Sequence, residues 1–323
     1  MSTSAIASRV VDLQSDNEDF FRAVSIGLLR PEKTLPSKFL YDEEGARLFN
    51  QICELDEYYP TRTETKILRN NIWAITRAIG RGCCLVEFGS GTSAKTRLLL
   101  EHLENLESYI PIDISSAQLF DSCQKLAEDF PALEILPISA DYTGVFQLPY
   151  RDTSAQKTVA FFPGSTIGNF EPSEALWFLR RVASLCGRNG GLLVGVDLKK
   201  DRHLLETAYN DHKGVTASFN LNLLARANRE LGTGFDLSCF RHQAIYDEAL
   251  GRIEMRLISL QPQIVRLGNR EFFFGEDEYI TTEYSYKYSL VQFRELAQKA
   301  GFEVLNTWMD GDKWFSVQYL GVR

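Results

Sequence analysis

The sequence has no long hydrophobic run. No stretch of its 323 residues approaches the roughly 18 consecutive apolar residues that cross a bilayer. The N-terminal segment MSTSAIASRVVDLQSDNEDFF meets acidic residues where a secretory signal peptide needs an apolar core. The sequence therefore predicts a cytosolic protein without a membrane partner.

Patterns typical of metal sites and disulfide frameworks are also missing. The six cysteines are scattered and form no C-x-x-C pair, which a zinc site would use. The four histidines never stand at the i,i+3 or i,i+4 spacing of a helical metal site. We therefore predict reduced thiols and no metal.

Excess positive charge is absent as well. The 35 Lys+Arg against 43 Asp+Glu give a formal charge of −8, which would repel the phosphate backbone of a nucleic acid. The chain has 323 residues, of which 44% are hydrophobic. It is therefore longer than one ordinary domain of about 150 residues and can form more than one hydrophobic core. We expect two lobes, a small-molecule substrate, no nucleic-acid partner and a monomer.

What the sequence does contain is a regular alternation of helices and strands after Thr63. The long amphipathic helix TETKILRNNIWAITRAI leads into a short apolar run, and four more such runs alternate with helical segments. Five alternations predict a parallel sheet with right-handed crossovers and helices on both faces. The predicted strands are CCLVEFG, YIPIDIS, LEILPISAD, TVAFFPGST and GGLLVGVDL.

The alternation stops between about Lys200 and Lys287 and resumes with a helix and two strands at the C-terminus. We interpret the middle block as an insertion that joins the N-terminal segment. The predicted domains are a sheet domain, 63–199 with 288–323, and a second lobe, 1–62 with 200–287. Ligands of open α/β sheets bind beyond the carboxyl ends of the strands, so the second lobe is predicted to close over that edge.

A glycine turn, Glu87-Phe88-Gly89-Ser90-Gly91-Thr92, follows the first predicted strand and opens a helix. Its glycines allow a tight turn and close approach of a ligand to the backbone. A dinucleotide fingerprint would have a third glycine where Ala94 stands. The turn by itself is thus equally consistent with a plain strand-to-helix connection.

Two later strand ends add carboxylates at the same edge. Asp113 follows the glycines by roughly twenty residues, where a carboxylate can accept both ribose hydroxyls. Asp141 and Tyr142 end the third strand, where a carboxylate and a ring can hold an adenine. The alternatives are a solvated surface aspartate for Asp113 and a helix N-cap for Asp141. The three sites predict an adenosine pocket and leave the rest of the cofactor open.

The final strand, after the turn Ala300-Gly301-Phe302, favours a methyltransferase, because an added antiparallel strand resembles the class I S-adenosylmethionine fold. The predicted fold class is Rossmann-like α/β, with a mainly parallel seven-stranded sheet and an antiparallel last strand, plus a second α+β substrate-binding lobe. A nicotinamide oxidoreductase is disfavoured by Ala94 and by the lack of a well-placed catalytic histidine.

Seven ordered motifs between about residue 30 and the C-terminus resemble the histidine-specific Nα-methyltransferase family of ergothioneine biosynthesis. The resemblance implies S-adenosylmethionine as cofactor and L-histidine as substrate, converted through mono- and dimethylhistidine to trimethylhistidine, hercynine. The motifs are KFLYDEEGARLFNQI, EYYPTRTE, VEFGSGTSAKTR, PGSTIGNF, AYNDHKGVTASFN, IEMRL and TTEYSYKY.

The same resemblance implies a set of site residues. In the catalytic role it implies Tyr41, which we expect to orient the reacting nitrogen. The implied cofactor contacts are Gly89, Lys95, Asp113, Asp141 and Tyr142. The implied acceptor contacts are Phe49, Tyr58, Gly164, Thr166, Asn169, Tyr209, Met255, Glu283 and Ser285.

The residue types suit a free amino acid, which offers a carboxylate and an amine. Asn169, Tyr58 and Tyr209 supply neutral donors and acceptors for these groups. Each also has a structural alternative, since an asparagine after a glycine is common in turns and tyrosines are often core residues.

Glu283 and Ser285 are two residues apart, so on a strand they share a face and can hold both imidazole nitrogens. The alternative is a solvated face opposite buried Tyr284, Tyr286 and Tyr288. A methyltransferase for another amino acid, such as tryptophan, is disfavoured because an apolar residue would suit it better than Glu283. A catalytically silent S-adenosylmethionine-binding protein is a further alternative.

Overall fold

A computed structural model describes residues 11–12, 17–91, 93–144 and 157–323, so Thr92 of the glycine turn lies outside the described residues. The helices are α1 (Asn17–Leu29), α2 (Glu43–Cys53), α3 (Tyr59–Ile79), α4 (Ala94–Leu100), α5 (Ser116–Asp129), α6 (Pro172–Cys186), α7 (Arg202–Tyr209), α8 (Val215–Leu231) and α9 (Leu290–Lys299). The strands are β1 (Val11–Asp12), β2 (Lys33–Thr34), β3 (Cys83–Phe88), β4 (Ser108–Asp113), β5 (Glu134–Ile135), β6 (Ile138–Ser139), β7 (Lys157–Phe162), β8 (Gly191–Asp197), β9 (Phe240–Asp247), β10 (Arg252–Ser259), β11 (Gln263–Leu267), β12 (Arg270–Phe274), β13 (Tyr279–Tyr286), β14 (Phe302–Met309) and β15 (Phe315–Val322).

The chain divides into two compact units. The first comprises 60–199, 287–323 and the described part of 1–14, and the second comprises 200–286 and the described part of 15–59. Strand β1 lies in the first unit, because Val11 and Asp12 pair in parallel with β6. Our assignment of all of 1–62 to the second lobe is therefore wrong for this strand, since two residues are too short to show a period.

The first unit is built on a mainly parallel sheet. Among the described residues its nine strands follow the order β1-β6-β4-β3-β7-β8-β15-β14, with β5 beside β4. Strand β15 runs antiparallel to both of its neighbours, which confirms the predicted antiparallel last strand. The sheet exceeds the predicted seven strands because β1 is added and LEILPISAD forms two short strands. Pro137 separates these two, as proline cannot donate to a strand ladder.

The hydrophobic core of the first unit is formed by buried residues of the sheet and of the helices that pack against it. Strands β3 and β8 are buried along their whole length, as expected for central strands of a sheet that is covered on both faces. Helix α3 contributes Ile67, Leu68 and Ile75 to this core. The helix begins at Tyr59, four residues before the predicted start, because Pro60 is tolerated in a first turn.

The second unit contains a four-stranded sheet in the order β2-β13-β10-β9 and a hairpin of β11 and β12. Helices α2 and α8 pack against each other. The strand-like stretch 251–267 forms two strands in different sheets, interrupted at Pro262. No helix among the described residues is long and apolar enough to cross a membrane.

Candidate active site

The glycine turn after β3 has an unusual backbone. Gly89 and Gly91 have φ values of +71° and +49°, and Ser93 has a φ of +57°. Glycine adopts this left-handed region without steric cost. A Cβ atom on Gly89 would lie 3.3 Å from Tyr142 Oη. The buried hydroxyl of Ser90 has no hydrogen-bond partner among the described residues, so the turn keeps a polar atom available to a ligand.

Asp113, at the end of β4, holds this turn. Its Oδ2 accepts a hydrogen bond from Gly91 N and its Oδ1 accepts one from Ser115 N, both at 2.9 Å. Burial raises the pKa of the carboxyl, and the backbone donors oppose that shift. Because Asp113 is only 9% exposed, the alternative of a solvated surface aspartate is wrong. A carboxylate has about four lone-pair positions, so Asp113 can accept a ribose hydroxyl in addition to its backbone donors.

Tyr142 belongs to a cluster of aromatic side chains that includes Phe88 and Phe162. Its ring centroid is 5.9 Å from that of Phe88 and 5.9 Å from that of Phe162. Burial raises the pKa of Tyr142, and the charges of Asp113 and Asp141 raise it further, so its hydroxyl is neutral. Asp141 Oδ1 accepts hydrogen bonds from Thr143 N at 2.9 Å and Thr143 Oγ1 at 2.5 Å, which fixes the local turn.

Lys95 lies in the first turn of α4 and forms an ion pair with Glu64 of α3. The same carboxylate oxygen accepts a hydrogen bond from Gly164 N at 2.8 Å. Glu64 is fully buried, and our sequence analysis did not include it among the site residues. A signal was present, because Glu64 interrupts the apolar face of α3 that includes Ile67 and Leu68.

Three predicted acceptor residues lie after β7 in the first unit. Gly164 has a φ of +77°, and the 3₁₀ helix Thr166–Asn169 follows it. Thr166 Oγ1 donates a hydrogen bond to Pro163 O at 2.8 Å. Asn169 is half-buried at the end of this short helix. These residues therefore share a unit with the predicted cofactor residues.

The remaining predicted residues belong to the second unit, where four aromatic rings form a continuous series. The ring centroids of Tyr41 and Phe49 are 5.5 Å apart, those of Phe49 and Tyr58 6.3 Å, and those of Tyr58 and Tyr209 6.0 Å. Burial raises the pKa of Tyr58, and the nearby Tyr209, Tyr41 and Glu283 contribute to the shift. Tyr58 is therefore a neutral donor and acceptor.

The series continues to β10 and β13. Tyr209 Oη lies 2.9 Å from Ser285 Oγ. Met255 is paired with Glu283 across the two strands, and residues directly opposite each other share a face of a sheet. Glu283 and Ser285 are 8% and 4% exposed, so the alternative of a solvated strand face is wrong. All seven predicted residues of the second unit are thus linked by contact or by strand register.

A buried polar network that the sequence analysis missed supports this group. His242 Nε2 donates to Tyr209 O at 2.8 Å, and its Nδ1 accepts from Asn220 Nδ2 at 2.9 Å. Asn220 Oδ1 in turn accepts a hydrogen bond from Thr282 Oγ1 at 2.5 Å. Burial lowers the pKa of His242. The network fixes the neutral tautomer of His242 and ties α8 to strands β9 and β13.

Sequence comparisons with known proteins agree with the resemblance. A family model described as a histidine-specific, S-adenosylmethionine-dependent methyltransferase matches residues 20–322. Histidine N-alpha-methyltransferase of Mycolicibacterium smegmatis is 39% identical over 90% of each chain. Ergothioneine biosynthesis protein 1 of Neurospora crassa is 32% identical over 89% of this chain and 33% of that protein. A crystal structure of a possible exported protein from Bordetella parapertussis has a TM-score of 0.50 at 12% identity, over 100% of this chain and 97% of that one.

Proposed function

The chain belongs to the family of histidine-specific, S-adenosylmethionine-dependent methyltransferases, and we propose that it methylates the α-amino nitrogen of L-histidine. Three rounds would convert histidine through mono- and dimethylhistidine to hercynine, within ergothioneine biosynthesis. The observation that carries the proposal is the buried pair Glu283 and Ser285, with Tyr209 Oη 2.9 Å from the serine. A buried carboxylate beside hydroxyls suits an imidazole, which can both donate and accept.

The first unit has the chemistry to hold S-adenosylmethionine, which supplies a methyl group on a sulfonium. The Gly89 turn offers close approach, and the Ser90 hydroxyl has no hydrogen-bond partner in the part of the chain that the structure describes. We assign the ribose hydroxyls to Asp113, the adenine to Asp141 and Tyr142, and the methionine carboxylate to the ammonium of Lys95. The residues present therefore fit the group.

We assign the imidazole of the acceptor to Glu283 and Ser285, with Met255 covering the same face of the sheet. The amine and carboxylate of histidine are assigned to Asn169, Tyr58 and Tyr209, which are uncharged donors and acceptors. The raised pKa of Tyr58 supports this role, because a neutral phenol does not repel the carboxylate. We also assign contacts with the acceptor to Gly164 and Thr166 in the first unit and to Phe49 in the second.

The reaction would be an in-line displacement that forms a nitrogen–carbon bond to the methyl group and breaks its carbon–sulfur bond, with S-adenosylhomocysteine as the leaving group. The attacking amine must therefore present a lone pair. A protonated amine cannot react, and the protein must let protons leave between rounds. We assign to Tyr41 the role of orienting the amine rather than ionising, because a tyrosine pKa near 10 makes the phenolate costly at neutral pH. The nitrogen keeps a lone pair until the third methylation, which ends the series chemically.

The test is incubation of the purified protein with S-adenosylmethionine and a panel of amino acids, followed by mass spectrometry. We expect trimethylated histidine as the end product. Methylated tryptophan in its place would transfer the proposal to another acceptor. Cofactor binding in calorimetry without any methylated product would mean a catalytically silent binding protein and would overturn the proposal.

We also propose that the enzyme is a cytosolic monomer. Light scattering on the purified protein and fractionation of the source cells test the two statements. A dimer mass, or recovery of the protein outside the cytosol, would contradict them.

A further inference from the structure

Glu64 makes contacts in the first unit that the proposed function does not use. Its side chain has no exposed surface. Its Oε2 accepts from Lys95 Nζ and from Gly164 N, the latter at 2.8 Å. Its Oε1 is buried and has no hydrogen-bond partner among the described residues. A buried carboxylate oxygen without a donor is costly, so this arrangement requires a reason beyond stability.

The surroundings of Glu64 show which of its neighbours a ligand can reach. A Cβ atom on Gly195 of β8 would lie 2.0 Å from Glu64 Oε1, so this oxygen packs directly against the strand backbone. The side chain of Lys95 is 16% exposed, whereas that of Glu64 is 0% exposed. The carboxylate is therefore enclosed, whereas the side chain of the lysine that it holds is partly exposed.

We infer that Glu64 is a positioning residue that couples the cofactor contact Lys95 to the acceptor loop Gly164–Asn169. The inference rests on the proposed function for the roles of Lys95 and Asn169. One carboxylate oxygen holds both the lysine ammonium and the first amide of the loop. Moving either donor therefore shifts the carboxylate oxygen that the other donor contacts.

The chemistry of lysine explains the need for such a residue. A lysine ammonium has three donors on a flexible four-carbon stem. The bond to Glu64 uses one donor and removes rotational freedom before the ligand arrives, which leaves two donors for a ligand carboxylate. The carboxylate that anchors Lys95 also anchors Gly164 N, so the loop that carries Asn169 is ordered by the same ion pair.

The experiment is a double-mutant cycle of Glu64→Gln and Lys95→Met, read by calorimetric binding of S-adenosylhomocysteine. The glutamine has nearly the same shape and keeps a carbonyl for Gly164 N, but it removes the countercharge of Lys95. We expect each single variant to bind S-adenosylhomocysteine about tenfold more weakly, which lies within the usual range of interaction energies between residues in contact. The double variant should bind no more weakly than Lys95→Met, because the two residues act through one ion pair. The KM for histidine should rise in Glu64→Gln, because the acceptor loop is no longer anchored by a charged group.

A purely structural role predicts a different result. It would lower Tm while leaving the dissociation constant unchanged, or it would give losses that multiply in the double variant, and either result would overturn the inference. Asp129→Asn is the matched control, since it removes the partner of Arg97 on the same helix α4 from an exposed pair. This control should leave binding unchanged.

If Glu64→Gln does not fold, Glu64→Asp is the second variant. It keeps the charge but shortens the side chain, so one oxygen cannot reach both Lys95 Nζ and Gly164 N. We expect weaker cofactor binding and a higher KM for histidine in this variant, and wild-type values for both would overturn the inference. Binding of S-adenosylhomocysteine does not involve the acceptor, so failure of the proposed histidine chemistry would be distinguishable.

Discussion

The proposed cofactor residues and the proposed acceptor residues of the second unit are held in different ways. In the first unit the backbone takes part, because Gly91 N and Gly164 N donate directly to carboxylates. In the second unit the contacts join side chains far apart in sequence. Tyr209 and Ser285 are 76 residues apart. A site held by backbone amides depends on a few anchoring carboxylates, whereas one built from side chains depends on each of them.

Replacing Asp113 is expected to have the largest effect on this comparison. Asp113→Ala removes the acceptor for Gly91 N and Ser115 N and the proposed ribose contact. Charge-assisted hydrogen bonds contribute about 1.5–3 kcal/mol each, so the loss of two corresponds to at least a ~100-fold weaker affinity for the cofactor. Titration calorimetry with S-adenosylhomocysteine measures it.

Asp121→Asn serves as the control for Asp113→Ala, because Asp121 lies on the exposed side of α5. Unchanged affinity in Asp113→Ala would remove Asp113 from the site and would mean that the glycine turn needs no anchor.

The fold of the first unit was readable from sequence because its signals are local. Strands β3, β4, β7 and β8 are short apolar runs, and CCLVEFG corresponds to β3. The glycine turn and Asp113 follow strands directly, so their shared edge could be inferred from topology. The misassigned N-terminal strand β1 has two residues and is defined only by its pairing with β6.

Replacing Glu283 tests the second unit. Glu283→Ala should lower kcat/KM for histidine about 10- to 100-fold and relax discrimination against tryptophan, because a buried carboxylate excludes a ring that leaves it unpaired. Adding a smaller residue at Met255, on the same face of the sheet, should make room for an indole. Cofactor affinity should stay at the wild-type value. Kinetics with both amino acids supply the measurement.

Glu254→Gln is the matched control for Glu283→Ala. Glu254 is another buried carboxylate of the same sheet, but it pairs with Arg252 and Arg256. Its loss should lower stability and leave the preference for histidine intact. A Glu283→Ala variant that keeps the wild-type preference would show that this residue does not select the side chain of the substrate.

The acceptor side was readable only through resemblance to a family. Strand register places Met255 opposite Glu283, but the sequence gives no local sign of that register. The network of Asn220, His242 and Thr282 has no motif of its own, because its members lie on a helix and two strands. Glu64 was detectable in principle as a carboxylate on an apolar helix face.

Asn169 differs from the other residues compared here, because it lies in the first unit with the proposed cofactor residues but is itself proposed to bind the acceptor. Asn169→Ala should raise the KM for histidine about tenfold, the order of one hydrogen bond of roughly 1.4 kcal/mol, with little change in the KM for the cofactor. Steady-state kinetics with each substrate varied in turn separate the two constants. A change in the cofactor constant alone would move Asn169 to the cofactor group.

The smallest expected effect concerns pH, to which buried groups in the two units respond with opposite sign. In the first unit, burial raises the pKa of Glu87 to about 8 against the hydrogen bonds from Thr96 and Tyr109. Its folded pKa is raised, so its contribution to stability is present below the unfolded pKa and is lost as pH rises through about 8. In the second unit, burial lowers the pKa of His242, so its contribution is present above the unfolded value and is lost as pH falls.

Two neutral replacements separate these contributions. Glu87→Gln keeps an acceptor for Thr96 Oγ1 and no longer ionises, so its Tm relative to wild type should increase between pH 5 and 8, by on the order of a few degrees. His242→Gln loses the bond pattern of the imidazole, so it should be least stable relative to wild type at pH 8 and should approach wild type as pH falls below the unfolded histidine pKa, because wild type loses the contribution of His242 there. Thermal unfolding of the three proteins across this range gives the two differences. If both differences change in the same direction with pH, then Glu87 and His242 are not the groups that link protonation to the stability of their units, and the contrast between the units would be confined to ligand binding.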